Sequence, residues 1–204
     1  MKKMYFIILI LIVLSCKKND IGVDNGCTIL VSNNADIQLV SDSVLNRITY
    51  LLNKNRIDYT DLQFYSYITN GNTYIACHQY VNNLKIFTDY LIFDFNKHDS
   101  LVYSNDSDRV TNLNFTNIPK LSSSRVRYIF RKEFEKDPWY GNSNLIDSCV
   151  DLEFGYYDLN ASISYKPKDF TTAWRVTLHN RDFPFAYIND LNGDLIYLWN
   201  GIIN

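Results

Sequence analysis

The sequence lacks the short motifs that identify many enzyme active sites. It contains no H-E-x-x-H zinc motif, no G-x-S-x-G nucleophile elbow and no glycine-rich phosphate-binding loop. Its histidines, His78, His98 and His179, are too scattered to have the spacing of metal ligands. Cys77 and His78 are neighbours in a predicted strand, so they point to opposite faces and do not pair as nucleophile and base. We therefore predict a protein that is not an enzyme, with no catalytic residue, metal or cofactor.

An excess of positive charge and a long apolar run are also absent. Lysine and arginine total 20 against 22 aspartates and glutamates, so no basic surface is implied and we expect no nucleic-acid partner. The longest apolar run, residues 4–14, is shorter than the about 20 residues that a membrane-spanning helix needs. Because it follows Lys2 and Lys3, it is typical of the apolar region of a cleaved signal peptide.

The end of this run resembles the lipobox of bacterial lipoproteins. Residues 13–16 read V-L-S-C, with a small serine before Cys16 and polar residues directly after it. The resemblance implies removal of a signal peptide, residues 1–15, and attachment of diacylglycerol and an amide-linked acyl chain such as palmitate to Cys16. Since two lipid attachments hold a protein durably, residues 16–37 are predicted to be a lipidated tether to a membrane. An ordinary secretory signal with an incidental cysteine is the alternative.

The predicted anchor also indicates a location. A domain held by lipid on Cys16 lies in the cell envelope. No aspartate follows Cys16, unlike in the inner-membrane retention signal of some bacteria. We therefore expect the outer membrane rather than the inner one.

Three further cysteines, Cys27, Cys77 and Cys149, would lie in this oxidising compartment. Their odd number leaves two alternatives open. One is a single disulfide, in any of three pairings, with one leftover thiol. The other is three buried free thiols.

Aromatic residues are abundant, whereas glycine and proline are few. The 16 tyrosines, 12 phenylalanines and 3 tryptophans favour strands, against 7 glycines and 4 prolines.

Apolar residues at helical spacing predict helices over residues 41–56 and 122–136. Segments bounded by turn residues predict strands over residues 62–69, 73–81, 84–95, 101–104, 150–157, 162–165, 172–179, 185–189 and 195–199. A helix followed by antiparallel strands occurs twice along the chain. This order predicts an α+β fold of two helix-plus-antiparallel-sheet modules.

The stretch 77–102 resembles the FTP region, the N-terminal part of the propeptides of thermolysin-like and fungalysin-like metallopeptidases. Gln79 takes the position of the family's strand glutamine, Asn83 that of its turn glycine, and L-K-I at 84–86 that of its hydrophobic triplet. Ala76 stands where the family often has arginine, and Lys85 where proline is common. The resemblance implies an FTP-like module over residues 38–118.

The stretch 172–201 resembles the end of the PepSY domain, the second module of the same propeptides. A-W-R-V at 173–176 matches its strand with tryptophan, and residues 187–196 match its final hairpin, with Asn189 in place of the family's aspartate. This implies a PepSY-like module over residues 119–204. The matching residues specify a fold, so no catalytic role comes with them. Because the sequence shows no peptidase motif, propeptide-like action is expected in trans.

These patterns predict a membrane-anchored, non-enzymatic binding lipoprotein. Its expected partner is a protein outside the cytoplasm, foremost a peptidase that it inhibits or helps to fold, with β-augmentation as the binding mode. A small-ligand or glycan-binding surface lipoprotein and a structural envelope protein are the alternatives. Exposed aromatic clusters mark binding sites, so the candidate binding surface is Trp139, Tyr140, Phe183 and Phe185, with packing in the core as their alternative role.

Overall fold

Two α-helices, one short 3₁₀ helix (Asp106–Asp108) and nine strands form the regular structure of the described chain. The structure is a computed structural model that describes residues 22–32, 38–136, 148–163 and 166–201. The helices are α1 (Asp42–Lys54) and α2 (Ser123–Phe134). The strands are β1 (Thr28–Leu30), β2 (Leu62–Asn70), β3 (Asn72–Val81), β4 (Leu84–Phe95), β5 (Leu101–Ser104), β6 (Val150–Asp158), β7 (Phe170–Leu178), β8 (Phe185–Asn189) and β9 (Leu195–Trp199).

All nine strands belong to one sheet. Its order is β2-β3-β4-β6-β7-β8-β9, with β5 added to β4 and β1 added to β6. Only the pairs β1–β6 and β4–β6 are parallel among the described strands. The predicted mixed class, with helices on a largely antiparallel sheet, is confirmed. The two predicted helix-and-strand groups meet at β4 and β6, where Lys85 lies opposite Gly155 and Ile86 opposite Tyr156, so they share a single continuous sheet.

The tight turns between strands have the backbone conformations that their sequences predict. Asn82 and Asn83 both have positive φ, 52° and 63°, between β3 and β4. Gly71, at 79°, joins β2 to β3, and Gly193, at 80°, joins β8 to β9. Asparagine and glycine tolerate this left-handed region, so these turns fix the register of the hairpins on either side.

Each helix covers its own part of the core. Helix α1 buries Ile48, Leu51 and Leu52 against strands β2, β3 and β4. Helix α2, capped by the Ser122 side chain, buries an apolar face against strands β6, β7 and β8. The α1 cluster includes Cys77 of β3 and the α2 cluster includes Val81 of the same strand. Residues at even spacing on a strand share a face, so both helices cover the same face of the sheet.

Residues 22–32, assigned to the tether from the sequence, lie against the domain. Strand β1 pairs with the start of β6, and a disulfide joins Cys27 to Cys149. The Arg127 side chain, buried at 3% exposure, donates to the carbonyls of Cys27 and Ser148 and forms an ion pair with Asp24. The third cysteine, Cys77, is a buried free thiol in the α1 cluster.

The strand predicted over residues 162–165 is wrong in the part that the structure describes. Residues 159–162 form a turn and Ile163 is not in a strand. The cause is Asp158, whose carboxylate accepts from the backbone amides of Asn160 and Asp169 and closes the β6–β7 connection as a loop. Residues 164 and 165 lie outside the described residues.

Other predictions fall on parts of the chain that the structure does not describe. The signal peptide and Cys16 lie within residues 1–21, and Trp139 and Tyr140 lie within residues 137–147. Among the described helices, none is long and apolar enough to cross a membrane.

Candidate binding face

The sheet face opposite the two helices, called the open face below, carries no helix in the described part of the chain. Its residues alternate with the core residues on each strand. Along β8 the core residues Ala186 and Ile188 alternate with Phe185 and Tyr187. This face is not bare throughout, because Val31, Ser32 and Leu39 line a cavity on it together with Tyr80, Lys85 and Glu153.

Five aromatic side chains, called the aromatic patch below, gather at one end of the open face: Phe183, Phe185, Tyr187, Tyr197 and Trp199. The Phe185 ring lies at the centre, with ring centroids 5.9 Å from Phe183, 5.7 Å from Tyr187, 5.9 Å from Tyr197 and 5.6 Å from Trp199. Phe183 and Tyr197 are 41% and 44% exposed, and the other three are partly buried. The patch thus keeps exposed apolar surface while its rings hold one another in place.

Strand pairing explains how these rings come together. Phe185 lies opposite Trp199, and Tyr187 opposite Tyr197, in the β8–β9 ladder. Side chains of opposed residues lie on the same face, about 5 Å apart at Cβ. Phe183 precedes β8 and contacts Trp199 with a centroid distance of 4.7 Å.

A second group of rings extends the patch toward the middle of the sheet. Tyr187 also contacts Tyr157 of β6 at 4.8 Å and Phe87 of β4 at 5.3 Å between centroids. Gly155 makes room for Phe87, because a Cβ there would lie 2.5 Å from the Lys85 carbonyl and 2.7 Å from the Phe87 ring. Glycine at this position therefore permits a continuous row of rings from β4 to β9.

Charged side chains flank the aromatic rows. Glu153 lies opposite Arg175, and Arg175 opposite Tyr187, so one cross-strand row joins an acid, a base and the patch. The Glu153 carboxylate has Lys85 Nζ at 3.8 Å and an Arg175 guanidinium nitrogen at 3.7 Å. The Arg175 guanidinium also lies over the Phe185 ring, 5.8 Å from its centroid.

His78 lies beside this charged group and is stacked on Tyr65, with centroids 4.4 Å apart. Burial, together with the positive charges of Lys85 and Arg175, lowers the pKa of His78 to about 3. Burial also lowers the pKa of Lys85, against the opposing effect of Glu153. His78 is therefore neutral at physiological pH, and the charges of this region are those of Lys85, Glu153 and Arg175.

The outer edge of β9 is open next to the patch. β9 ends the strand order, and no described strand pairs with its outer side. At the opposite end of the sheet, β2 is partly covered, because Leu39 donates to the Phe64 carbonyl and the Gln38 side chain bonds Leu62 and Phe64. The patch and an unpaired strand edge thus occur together only on the β9 side of the described sheet.

Four cavities of the described part, of about 270–320 Å³, lie away from the patch, and no patch residue lines any of these four. One of them, about 280 Å³, is lined by Lys85, Glu153 and Tyr80 together with residues of the β1 and β2 ends. Within the described residues no three His, Cys, Asp or Glu side chains converge as metal ligands would.

Two polar residues of the family-like stretches have structural roles. Gln79, 2% exposed, both donates to and accepts from the backbone of Val110, which fastens the segment between β5 and α2. Asp190, 1% exposed, accepts from Trp174 Nε1 and from the backbone amides of Lys120 and Leu121. Neither side chain reaches the open face, so both serve the fold.

Of the predicted binding residues, Phe183 and Phe185 lie together in the patch. Trp139 and Tyr140 lie outside the described residues. The sequence analysis missed Tyr187, Tyr197 and Trp199. The signal for them was the alternation of aromatic and aliphatic residues in F-A-Y-I at 185–188 and Y-L-W at 197–199, which places all the rings on one face.

The chain matches no protein-family model and no curated protein sequence. The likeness to FTP and PepSY propeptides therefore remains a prediction from the short stretches that carry it.

Proposed function

We propose that the protein is a membrane-anchored, non-enzymatic binding protein of the cell envelope that takes up a segment of another protein on its open face. The observation that carries this proposal is the aromatic patch beside the open edge of β9. Exposed aromatic clusters of this kind are typical of interaction sites. The lipid anchor on Cys16, with the outer membrane as its location, belongs to the proposal and rests on the sequence.

The edge of β9 supports a polypeptide partner. An extended segment that pairs with β9 gains backbone hydrogen bonds along the strand. Its alternate side chains then lie on the open face, next to Tyr197 and Trp199. The remainder of the partner can rest on the rings of β8. Backbone pairing with aromatic contacts on one face is the β-augmentation mode.

The ring geometry favours a protein over a sugar. A flat platform for a sugar ring needs aromatic faces that lie nearly in one plane. In the patch, Phe185 is inclined by 36° to Phe183 and by 38° to Tyr197, but by 75° to Tyr187 and by 78° to Trp199, so the five rings do not lie in one plane. Inclined rings leave gaps that apolar side chains fill. A cavity of about 320 Å³ whose lining includes Tyr59 and Phe64 lies beside α1 and β2, away from the patch.

The family resemblance suggests which protein the partner is. The α1 cluster lies within residues 40–95, but the α2 cluster also includes Val81, Leu84 and Ile86, so the FTP-like module over residues 38–118 and the PepSY-like module over residues 119–204 rest on the sequence. Propeptides of this kind belong to metallopeptidases. We therefore propose a secreted or membrane-associated peptidase as the partner, which the protein inhibits or helps to fold in trans.

A titration tests this proposal. The described contacts lie within residues 22–201, so residues 16–204 with Cys16→Ser contain the whole described domain. This protein is titrated against the metallopeptidases that the same organism secretes, with enzyme activity and complex formation by gel filtration as readouts. We expect saturable inhibition or a stable complex at micromolar or tighter affinity.

Matched variants locate the interface. Loss of a central aromatic contact typically costs at least about 2 kcal/mol of binding free energy, so Phe185→Thr should weaken the complex about 30-fold or more. Tyr74→Thr changes an exposed ring on the distant part of the open face and should leave affinity within about twofold. Equal losses for both variants would remove the patch from the interface, and no complex with any peptidase would remove the peptidase as partner.

A further inference from the structure

Two basic side chains share one acidic partner on the open face. Lys85 and Arg175 lie at 3.8 Å and 3.7 Å from different oxygens of Glu153. These distances are ion-pair contacts that are longer than hydrogen bonds. Two cations and one anion give these three side chains one net positive charge. The neutral His78 beside them adds none. The group therefore has electrostatic capacity for one more anion.

The burial of the group makes this surplus charge significant. The side chains of Lys85 and Glu153 are 15% and 10% exposed, and that of Arg175 is 36% exposed. Partly buried charges interact more strongly than exposed charges because water screens them less. Arg175 remains accessible enough to meet a partner, while Lys85 adds positive charge from beneath the surface.

The position of Arg175 joins this group to the aromatic patch. Its guanidinium lies over the Phe185 ring at 5.8 Å from the centroid, and its Cα is paired with that of Tyr187. The positive charge of Arg175 opposes the rise that burial gives to the pKa of Tyr187. An arginine held on aromatic rings presents its remaining N–H groups in a fixed direction, which suits a carboxylate.

We propose that Lys85 and Arg175 form a carboxylate-binding subsite, so that the partner segment carries an aspartate, a glutamate or a chain-terminal carboxylate beside its apolar side chains. This inference rests on the proposed function, since it names the chemistry of the segment that the patch receives. The occupant is chosen by charge complementarity: the subsite has a surplus cation, and the adjoining patch is apolar.

The spacing of strands indicates which part of the partner supplies the carboxylate. Adjacent strands lie about 4.8 Å apart, so a segment added to β9 would lie about 14 Å from β7, where Arg175 is located. Side chains stand roughly perpendicular to a sheet, so a glutamate on the added strand would not meet Arg175 across that distance. The carboxylate therefore comes from a part of the partner that crosses over the open face, and β9 pairing and carboxylate binding are separable.

Matched peptides test the subsite. The probes are an acetylated and amidated peptide, Val-Phe-Glu-Phe-Val, and its analogue with glutamine in place of glutamate. Each is titrated into isotopically labelled residues 16–204 with Cys16→Ser, and NMR shifts report both the affinity and the residues affected. We expect the glutamate peptide to bind about 5- to 10-fold more tightly, with shifts at Arg175 and at the patch.

Variants separate charge recognition from apolar binding. Arg175→Gln should reduce the preference for the glutamate peptide, taken as the ratio of the two affinities in the same variant, to about twofold or less. Glu153→Gln should strengthen binding of the glutamate peptide severalfold, because it frees both cations from their internal partner. Lys132→Gln on α2 removes a charge from the helix side of the sheet and should change neither value. Thermal melts of each variant confirm that it is folded.

Each outcome decides between the two proposals. If both peptides shift the patch equally, or if the preference survives Arg175→Gln, the carboxylate subsite is wrong and the proposed binding face stands. If neither peptide shifts the patch, the peptide-binding function falls together with the subsite. If an oligogalacturonate probe binds through Arg175 while both peptides fail to bind, the occupant is a sugar acid and the inference is overturned.

Discussion

The part of the molecule around α1 and the part around α2 are built in different ways. The first consists of α1 and strands β2 to β5, which follow one another in a single stretch from Asp42 to Ser104. The second consists of α2, β1 and strands β6 to β9. It depends on contacts between distant residues, including a disulfide that spans 122 positions. Local packing supports one half, and long-range covalent and polar links support the other.

The open face also differs between the two halves: its side chains are exposed on the α1 half and packed against one another on the α2 half. On the α1 half, Ile68, Tyr74, Tyr90 and Tyr103 are 58%, 43%, 53% and 56% exposed. On the α2 half, the five patch rings contact one another. The half with the long-range links is thus the one that holds its surface rings in a fixed arrangement. A rigid arrangement of side chains loses less entropy when a partner binds, which favours this half as the binding side.

Removal of the disulfide should produce the largest loss of stability, and it would test directly whether the two halves differ in their dependence on long-range links. For a closed loop of this length, constraint of the unfolded chain is worth up to about 5 kcal/mol, so Cys27→Ser with Cys149→Ser should cost about 3–5 kcal/mol of unfolding free energy. Urea denaturation measures it. The matched variant Cys77→Ala, in the α1 core, should cost only about 1–2 kcal/mol. Equal costs would show that the two halves do not differ in their dependence on long-range links.

Acidification should produce the second-largest loss of stability, because of His78. Its pKa is about 3 in the folded protein and about 6.5 in the unfolded chain. Below pH 6.5 the unfolded chain takes up a proton that the folded protein does not bind. The stability contributed by neutral His78 is therefore complete above pH 6.5 and is lost as the pH falls, by about 2–3 kcal/mol at pH 4.5.

The His78→Phe variant isolates this effect, because a ring remains to stack on Tyr65. Between pH 7 and pH 4.5 it should lose about 2–3 kcal/mol less unfolding free energy than the unchanged protein in urea titrations. His98→Asn, at an exposed turn, is the control and should behave as the unchanged protein does. Equal acid sensitivity in all three proteins would contradict the burial of His78 beside Lys85 and Arg175.

Substitution of a single ring on the open face should cause the smallest loss of stability. It would also sharpen the comparison of the open face on the two halves. Phe185→Thr removes a ring with four aromatic neighbours and should cost about 1–2 kcal/mol of stability. Tyr74→Thr keeps a strand-favouring residue at an exposed site and should stay within about 0.5 kcal/mol. Thermal unfolding of the pair measures the difference. A larger loss for Tyr74→Thr would mean that the α1 half has the more tightly packed open face.

The elements with strong local patterns could be predicted from the sequence. Helix α1 was expected at 41–56 and occurs at Asp42–Lys54, because its apolar residues repeat at helical spacing. The long hairpin of β3 and β4 was expected because Asn82 and Asn83 tolerate positive φ. In these cases short stretches of chain decide their own conformation.

The remaining features depend on contacts between distant parts of the chain. Strand β1 has three residues with no apolar alternation, and it exists because β6 offers a parallel edge next to the disulfide. The pairing of Cys27 with Cys149 could not be chosen from three alternatives without the fold. In the binding face, Phe183 and Phe185 were found by composition, whereas Arg175 joins them only through the register of β7 and β8.

The disulfide beside β1 also has a mechanical consequence. A force that pulls on the chain before Cys27 first strains the ion pair between Asp24 and Arg127. It then reaches the Cys27–Cys149 bond, which passes the tension covalently to the start of β6, near the middle of the sheet. The three residues of β1 are thereby shielded from being peeled away. The aromatic patch lies on β8 and β9 at the far edge of the sheet, away from the point where this tension enters.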